Sequence, residues 1–438
     1  MEISIQIKEE KLSWRETDKS KEIENLSIKH RILKFQNDYI NYFSGKKNTL
    51  EFQTTEGYFY VLHLHKKRLR ILGIKIEPEF LMPWGGKSNY FIHYLTDQRY
   101  LIAVAKESVW LKKTYIQDGI LLYEGYYEDT ARYSVVRQKR DICPCCGKKN
   151  IPIKEYNEST CSYCNAPIYP KDLDQKIAAF GIQYTEQTAR QACDEMMDWL
   201  AKIVAIAVGA IGFVRELFMI FQNHGSGFII LFSILTFGLW SCIAFVSVLL
   251  LKNLFRYTNK LQHYFKYHFL KKESPKLPQE LEKEMRKWDS SFSVELFLGY
   301  LENILQTIHF AQSPKEYELF LFHQIEIPRI YQNIIDCFVK KTEFKNLYIS
   351  ENCYTIQTEV QMELFMLEQE KVKKKRERLQ ITMSCNKECK QTGQLHLGAY
   401  CPSCGTKFQM KWGKKCSECG KIYSVSEAGW LLTDYQIL

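Results

Sequence analysis

Four C-x2-C pairs restrict this chain more than any other feature, because each pair directs two sulfur atoms toward one point. The first two pairs form C-x2-C-x14-C-x2-C, and the last two form C-x2-C-x11-C-x2-C. Four thiolates at tetrahedral positions suit zinc, and a shell of four cysteines leaves no open position for catalysis. We therefore predict two ribbons with structural zinc, held by Cys143, Cys146, Cys161 and Cys164 and by Cys401, Cys404, Cys416 and Cys419.

The residues that follow the cysteine pairs agree with this prediction. Both glycine and asparagine tolerate the left-handed backbone that closes such a turn. The four pairs are followed by Gly147, Asn165, Gly405 and Gly420. A ribbon of about 30 residues buries too little apolar surface to fold alone, and metal binding can supply an apparent ~10–16 kcal/mol. Iron in a rubredoxin-like site is the alternative to zinc.

The cysteines also indicate a reducing compartment. Eight of the 15 cysteines belong to C-x2-C pairs, and their thiolates must stay reduced until metal binds. The N-terminus has no basic stretch followed by an apolar core, so we expect no secretory signal. Cys385 and Cys389 are spaced C-x3-C without a second pair, and we assign them to the end of a strand, with an extra ligand pair as the alternative.

The overall composition indicates a folded protein and gives little support to nucleic-acid binding. The 438 residues are 46% hydrophobic and 25% charged, which argues against disorder along the whole chain. The net charge of +10 is modest for this length, and the lysines near the ribbons would give only weak affinity for phosphate. We do not expect nucleic acid as a partner.

Two apolar segments between the ribbons predict transmembrane helices. Residues 227–251 contain no charge and, at about 1.5 Å per residue, are long enough for a hydrocarbon core of about 30 Å. Residues 199–222 are also apolar, but they carry Lys202, Arg215 and Glu216. We expect both segments to span the membrane, with an interfacial helix as the alternative for the first.

The distribution of positive charge predicts the orientation of this transmembrane helical hairpin, which we place at residues 181–256. The turn at 223–227 has no Lys or Arg, whereas both flanks carry several, so the positive-inside rule places both termini in the cytoplasm. The predicted localisation is the plasma membrane, with more than one span and both ribbons in one compartment. Residues 257–280 interleave aromatic residues with lysines and form a juxtamembrane segment and linker.

The segment at 281–384 predicts helices followed by strands. Ser290 and Ser291 precede apolar residues at helical spacing, and shorter helices are expected to continue through about Ile335. Residues 354–366 and then "RLQITMSC" alternate apolar and polar side chains, which predicts an antiparallel hairpin. The basic run "KVKKKRER" is expected on the connection between the two strands.

The first half has a similar outline, and the predicted fold class follows from both halves. A mixed helical region precedes strand-like runs at residues 58–64, 68–76, 90–105 and 133–137. The domains are a degenerate α+β domain at 1–137, ribbon 1 at 138–170, the hairpin and linker, an α+β domain at 281–384, and ribbon 2 with the C-terminal tail at 385–438. We predict an α+β protein in which two cone-like domains, each with helices on a curved antiparallel sheet and each followed by a zinc ribbon, flank the transmembrane hairpin. This repeated layout suggests a duplication.

Residues 287–438 resemble a known family. The stretch "DSSFSVELFLGYLENILQTIHFAQSP", followed by "NIIDCFVKK", resembles the Tim-forty-four-like domain, and "CSECG" followed by "AGWLLTDYQIL" looks like the ribbon tail of its bacterial membrane relatives. The first half resembles the family only loosely, around "EDTARYSVVRQKRDICPCCG". The resemblance implies a nuclear-transport-factor-two-like fold, membrane association and contacts with proteins.

We therefore expect a membrane-anchored, cytoplasm-facing binding or scaffold protein, linked to protein transport or membrane-associated assembly. Its partner would be a protein or a lipid, and the chain itself would be integral to the membrane. Assembly of several copies into a homo-oligomer is a further option. The alternatives are an enzyme of the same superfamily or a zinc-ribbon nucleic-acid-binding membrane protein. We expect no enzyme, because no spacing joins His93 with Asp97, or His309 with His323, into a catalytic constellation.

Overall fold

Alternating apolar and polar residues build the larger of two main antiparallel sheets. Its strands are β1 (Ile74–Leu81), β2 (Tyr90–Thr96), β3 (Tyr100–Gln117), β4 (Ile120–Gln138), β7 (Lys176–Ile182) and β8 (Thr185–Glu186). β3 and β4 form a long hairpin, which Asp118 and Gly119 close with φ values of 50° and 80°, as a type I′ turn requires. β1 and β2 pair with successive halves of β3, and β7 pairs with β4.

The second sheet has four strands in the order β12-β11-β10-β9. These strands are β9 (Ile334–Ile349), β10 (Cys353–Glu368), β11 (Lys371–Asn386) and β12 (Leu431–Ile437). All three pairings are antiparallel, and β10 and β11 stay in register over their whole length. A two-stranded sheet of β5 (Ser159–Thr160) and β6 (Pro167–Ile168) lies within ribbon 1.

These elements come from a computed structural model, in which residues Met1–Thr185 and Leu277–Leu438 form one compact unit and Glu186–Lys276 a second. The four α-helices of the described residues are α1 (Glu2–Phe43), α2 (Glu56–Ile71), α3 (Lys276–Arg286) and α4 (Val294–Phe310). The structure describes residues 2–50, 53–81, 90–96, 100–139, 142–143, 148–149, 159–163, 167–168, 174–182, 185–186, 214–215, 218, 276–288, 292–323, 325, 327, 332–387, 401, 403–404, 406, 415–421 and 429–438.

The same order of elements occurs in both halves of the first unit. Each half begins with two helices, continues with strands of its sheet (four in the first half and three in the second), and then enters a cysteine ribbon. After the ribbon a further strand returns and pairs with the strand that preceded the ribbon, as β7 does with β4 and β12 with β11. A duplication would produce this arrangement, with each ribbon inserted at the same place in its sheet.

The two halves share their apolar cores through α2 and α4. The ring of His65 on α2 stacks on Phe310 at the end of α4, with centroids 4.2 Å apart and planes 7° apart. Tyr127 of β4 stacks on Phe338 of β9 at 4.5 Å. Gly299 lets α4 approach β7 closely, since a Cβ there would lie only 3.1 Å from the Cβ of Ala179. The halves are therefore parts of one packed body.

Arg68 links α2 to the C-terminal end of α4. Its side chain is fully buried, at 0% exposure. The guanidinium donates hydrogen bonds to the carbonyl oxygens of Phe310, Ala311 and Gln332. Two of these carbonyls lie at the end of the helix, where the backbone has no helical donor. These hydrogen bonds therefore satisfy the buried guanidinium of Arg68 and also cap the C-terminal end of α4.

A buried ion pair joins the two sheets. The ammonium of Lys113 on β3 lies 2.7 Å from Oδ2 of Asp336 on β9, and the side chains are 5% and 3% exposed. The hydroxyl of Tyr115 donates to the same carboxylate oxygen, and the backbone N–H of Cys337 donates to Oδ1 at 2.9 Å. The Lys113 ammonium also lies 4.7 Å from the ring centroid of Phe338. Asp336 is therefore fully engaged inside the interface between the halves.

The predicted fold class is wrong. The described residues form four helices and three antiparallel sheets, so the fold is mostly β, without two helix-on-sheet cones on either side of a helical hairpin. The reason is that α4 packs on both sheets. Most of its buried residues belong to the core of the second sheet. Leu296 instead packs with Ala178 and Val136 in the core of the first sheet. Contacts between the halves carry no local sequence pattern.

The predicted localisation as a multi-pass plasma-membrane protein is corrected as well. Within the described part of the chain, none of the helices combines the length and the apolar composition that crossing a bilayer requires. The segments 199–222 and 227–251, on which the prediction rested, lie outside the described residues except for Val214, Arg215 and Phe218. The membrane localisation therefore has no support in the structure.

Several local predictions also differ from the structure. The run at 58–64 and the start of the run at 68–76 belong to α2, because Tyr58, Val61, Leu62 and His65 are buried at helical spacing behind the N-cap Thr55. Helices were expected through Ile335, but β9 begins there. The basic run "KVKKKRER" lies within β11, and the connection is the turn of Gln369 and Glu370.

We predict that Asp336→Asn destabilises the protein by about 3–5 kcal/mol, because it leaves the buried Lys113 ammonium without its counter-charge. Urea unfolding of the full chain measures this as a lower midpoint at similar slope. The double variant Lys113→Met with Asp336→Asn should recover part of the loss. Glu77→Gln, which removes an exposed pair with Lys75, serves as the control and should change stability by less than about 1 kcal/mol. Equal losses for Asp336→Asn and Glu77→Gln would contradict the prediction.

Candidate metal centre

Ribbon 2 brings its four predicted ligands together. The Sγ atoms of Cys401, Cys404, Cys416 and Cys419 all lie within 4.8 Å of one another. Two of these separations are 3.5 Å for Cys401 and Cys419 and 3.6 Å for Cys404 and Cys416. Zinc–sulfur bonds of about 2.3 Å in a tetrahedron place the sulfurs about 3.8 Å apart, so this donor set fits a metal ion of that size. All four cysteines are free of disulfides.

Backbone hydrogen bonds close both turns of this ribbon. The N–H of Cys401 donates to the carbonyl of Thr406 at 2.8 Å, and the N–H of Cys416 donates to Lys421 at 2.9 Å. Gly420 follows the second pair with a φ of +70°, the left-handed conformation expected from the sequence. Each pair of thiols is therefore held by a turn of the same geometry.

Hydrogen bonds within the cluster shift the pKa values of Cys404 and Cys419 in opposite directions. The hydrogen bond from the Thr406 hydroxyl lowers the pKa of Cys404 to about 6, although burial opposes it. The N–H of Lys421 favours the thiolate of Cys419, but desolvation and hydrogen bonding with the other three cysteines raise its pKa to about 11. A divalent cation favours the thiolate form of each ligand, which is why such a cluster suits metal binding.

The ligands of ribbon 2 also differ in exposure. Cys401 and Cys416, the first cysteines of the two pairs, are buried, whereas Cys404 is partly buried and Cys419 is exposed. Solvent therefore reaches the cluster from the side of Cys419.

The described part of ribbon 1 repeats the same turn. Cys143 and Cys161 are both buried, at 0% exposure. The N–H of Cys143 donates to the carbonyl of Lys148 at 2.9 Å, five residues on, as in both turns of ribbon 2. The N–H of Tyr163 donates to Sγ of Cys161 at 3.4 Å. Cys146 and Cys164 lie outside the described residues, so the structure does not test this ligand set.

The remaining candidate residues of the sequence do not form a site. His93 is exposed on β2, and its suggested partner Asp97 lies outside the described residues. His309 is buried, with Nδ1 2.7 Å from the carbonyl of Leu305, whereas His323 is exposed. Cys385 lies one residue before the end of β11, and Cys389 lies outside the described residues.

A small cavity next to the Lys113–Asp336 pair had no signal in the sequence. Its volume is about 40 Å³, and its polar lining comes from Tyr39, Tyr58, His65, Lys113, Gln306 and Asp336. Pockets that hold small organic ligands measure about 300–1,000 Å³, so this cavity suits water molecules. Lys113 and Asp336 are 223 residues apart in the chain, which places their contact beyond any spacing argument.

Burial and neighbouring charges shift the pKa values of Lys113 and His65, which line this cavity, in opposite directions. Burial lowers the pKa of Lys113, but the Asp336 carboxylate outweighs burial and leaves that pKa above its usual value. Burial lowers the pKa of His65 to about 4, although Asp336 opposes the shift, and the Nε2 N–H donates to the Ile335 carbonyl at 2.8 Å. Lys113 and Arg68 also disfavour a charged His65, which is therefore neutral at physiological pH.

Comparison of the chain with family models, with curated proteins and with solved structures gave no match. The resemblance to the Tim-forty-four-like family therefore stays a prediction. The class of site that the structure defines is a four-cysteine cluster that can bind a metal such as zinc, at Cys401, Cys404, Cys416 and Cys419.

We predict that His65 makes the protein less stable in mild acid. Its pKa in the folded state, about 4, lies below the value of about 6.5 in the unfolded chain. The unfolded chain therefore binds the proton first, and stability falls as the pH drops from about 6.5 toward 4, by on the order of 3 kcal/mol. Urea unfolding at several pH values measures this slope.

The variant His65→Phe keeps the aromatic contact with Phe310 but cannot titrate, so its stability should fall less over this pH range. His65→Phe also loses the hydrogen bond to the Ile335 carbonyl, but this loss is the same at every pH and therefore does not affect the comparison of slopes. His93→Phe, at an exposed position, is the control. A slope that stays unchanged in His65→Phe would show that another group is responsible.

Proposed function

We propose that this chain is a binding or scaffold protein whose two ribbons are each held by a structural zinc ion. The observation that carries the proposal is the closed cluster of four cysteine sulfurs in ribbon 2. A zinc ion with four cysteine ligands has no open position for water or substrate, and such sites serve to hold a fold. When bound, the ion would supply the folding free energy that a ribbon of this size lacks.

The turn geometry of ribbon 1 supports a second zinc ion. Cys143 has the same backbone hydrogen bond as Cys401 and Cys416, each to the residue five positions on. Cys143 and Cys161 are fully buried, as ligands beneath a closed turn would be. We assign the second site to Cys143, Cys146, Cys161 and Cys164, with zinc preferred over iron.

The exposed side chains of ribbon 1 support a role in binding a protein partner. Tyr163 lies between two predicted ligands and is 60% exposed. The ammonium of Lys148 lies 4.6 Å from the centroid of its ring. Tyrosine is enriched at protein interfaces, because its ring buries much apolar area and its hydroxyl stays wet. We place the contact surface for a partner at this turn.

We expect the full chain, purified in reducing buffer, to contain close to two zinc ions, as measured by elemental analysis. Cys416→Ser should lower the content to about one, and Cys416→Ser combined with Cys161→Ser should lower it to near zero. Cys337→Ser removes a buried cysteine outside the ribbons and should leave two. Protein with iron in place of zinc, or with no metal, would exclude the proposed sites.

A photoreactive residue in place of Tyr163 should form a specific crosslink to one partner in cells, whereas the same residue in place of Tyr348, which is 56% exposed on the second sheet, should not. The crosslink should disappear when Cys161→Ser unfolds the ribbon. Equal products from both positions, or a crosslink that survives Cys161→Ser, would contradict a binding surface on ribbon 1.

A further inference from the structure

The four ligands of ribbon 2 differ in their access to solvent. Cys419 is exposed, while Cys401, whose Sγ lies 3.5 Å away, is buried. Cys143 and Cys161, which hold the same first positions in the pairs of ribbon 1 as Cys401 and Cys416 do in ribbon 2, are buried in the same way. A bound metal ion keeps every ligand in the thiolate form, so access to solvent then decides which sulfur an oxidant reaches, and in ribbon 2 that sulfur is Cys419.

The geometry of ribbon 2 also defines the second sulfur of such a reaction. Cys419 belongs to one turn and Cys401 to the other, yet their Sγ atoms are only 3.5 Å apart. A disulfide has a bond of about 2.05 Å, so the two sulfurs need to approach by about 1.5 Å. The other close pair, Cys404 and Cys416 at 3.6 Å, contains no exposed member.

We propose that ribbon 2 is a peroxide-sensitive metal switch, in which Cys419 is oxidised first and Cys401 then completes a disulfide. This inference rests on the proposed function, because it requires a zinc ion in ribbon 2.

The reaction takes place in two steps with hydrogen peroxide as the oxidant. The Cys419 thiolate attacks one peroxide oxygen, so that an S–O bond forms, the O–O bond breaks and hydroxide leaves. The Cys401 thiolate then attacks the Cys419 sulfur, so that an S–S bond forms, the S–O bond breaks and a second hydroxide leaves. Two thiolates lose two electrons in total, and the peroxide gains them. Zinc keeps only Cys404 and Cys416 as ligands and is released; a dithiol reductant reverses the disulfide.

The effect is confined to the ribbon, because β12 stays in its sheet. Trp430 packs on Phe297 at 5.1 Å, and Leu431 and Leu432 next to it are buried at 1% and 0%. Oxidation therefore changes the surface of ribbon 2 without unfolding the rest of the unit.

The test uses the full zinc-loaded chain, treated with hydrogen peroxide in the presence of a chromogenic zinc chelator, with disulfides mapped by mass spectrometry. We expect zinc to leave ribbon 2 in a fast phase, together with formation of a disulfide between Cys401 and Cys419. Cys419→His keeps a zinc ligand but has no sulfur to oxidise, and it should slow the fast phase by at least about tenfold. Cys146→His in ribbon 1 is the matched control and should leave the fast phase unchanged.

Hydrogen exchange of residues 431–437 should be the same before and after treatment. A first disulfide between other cysteines, or a fast phase that survives Cys419→His, would overturn the inference while leaving the zinc sites intact. Protein without zinc before treatment would overturn the proposed function, and this inference with it.

Discussion

The contact between Arg68 and the end of α4 is the constraint on which the arrangement of the two halves depends. A fully buried guanidinium has a high free energy unless it is matched by acceptors. Here the acceptors are backbone carbonyls that no helical N–H can reach, and they lie at the negative end of the helix dipole. Because both groups need each other, α2 of one half and α4 of the other have one favourable relative position.

The remaining contacts between the halves follow from that position. Once α4 lies against α2, Phe310 covers the ring of His65, and Gly299 allows the helix to approach β7. β9 then lies where Asp336 can receive Lys113 and Tyr115. The apolar contacts supply most of the stabilisation, while the buried polar contacts penalise any other register, since a shift would leave charges unpaired. We regard the interface as specified by its polar groups.

The sequence predicted the features that depend on local spacing. The alternation at 354–366 gave the hairpin of β10 and β11, and the C-x2-C pairs gave the cluster of ribbon 2 with its left-handed Gly420. It failed where tertiary packing decides. The aromatic residues of 58–64 look strand-like but form α2, since burial against two sheets outweighs their β propensity. β9 was missed because its first five residues are all buried, so its start does not show the alternation that predicts a strand.

The site of insertion explains how the ribbons can differ in behaviour from the body that carries them. Each ribbon replaces the turn between two strands that pair with each other, so both strand ends are fixed by the sheet. At ribbon 2 the entrance is also held, because the ammonium of Lys387 lies 4.9 Å from the ring centroid of Trp288. A module anchored at both ends can gain or lose its metal while the sheet stays folded. The repeated order of elements thus gives one compact unit with two such modules, and the exposed Cys419 gives solution chemistry access to ribbon 2.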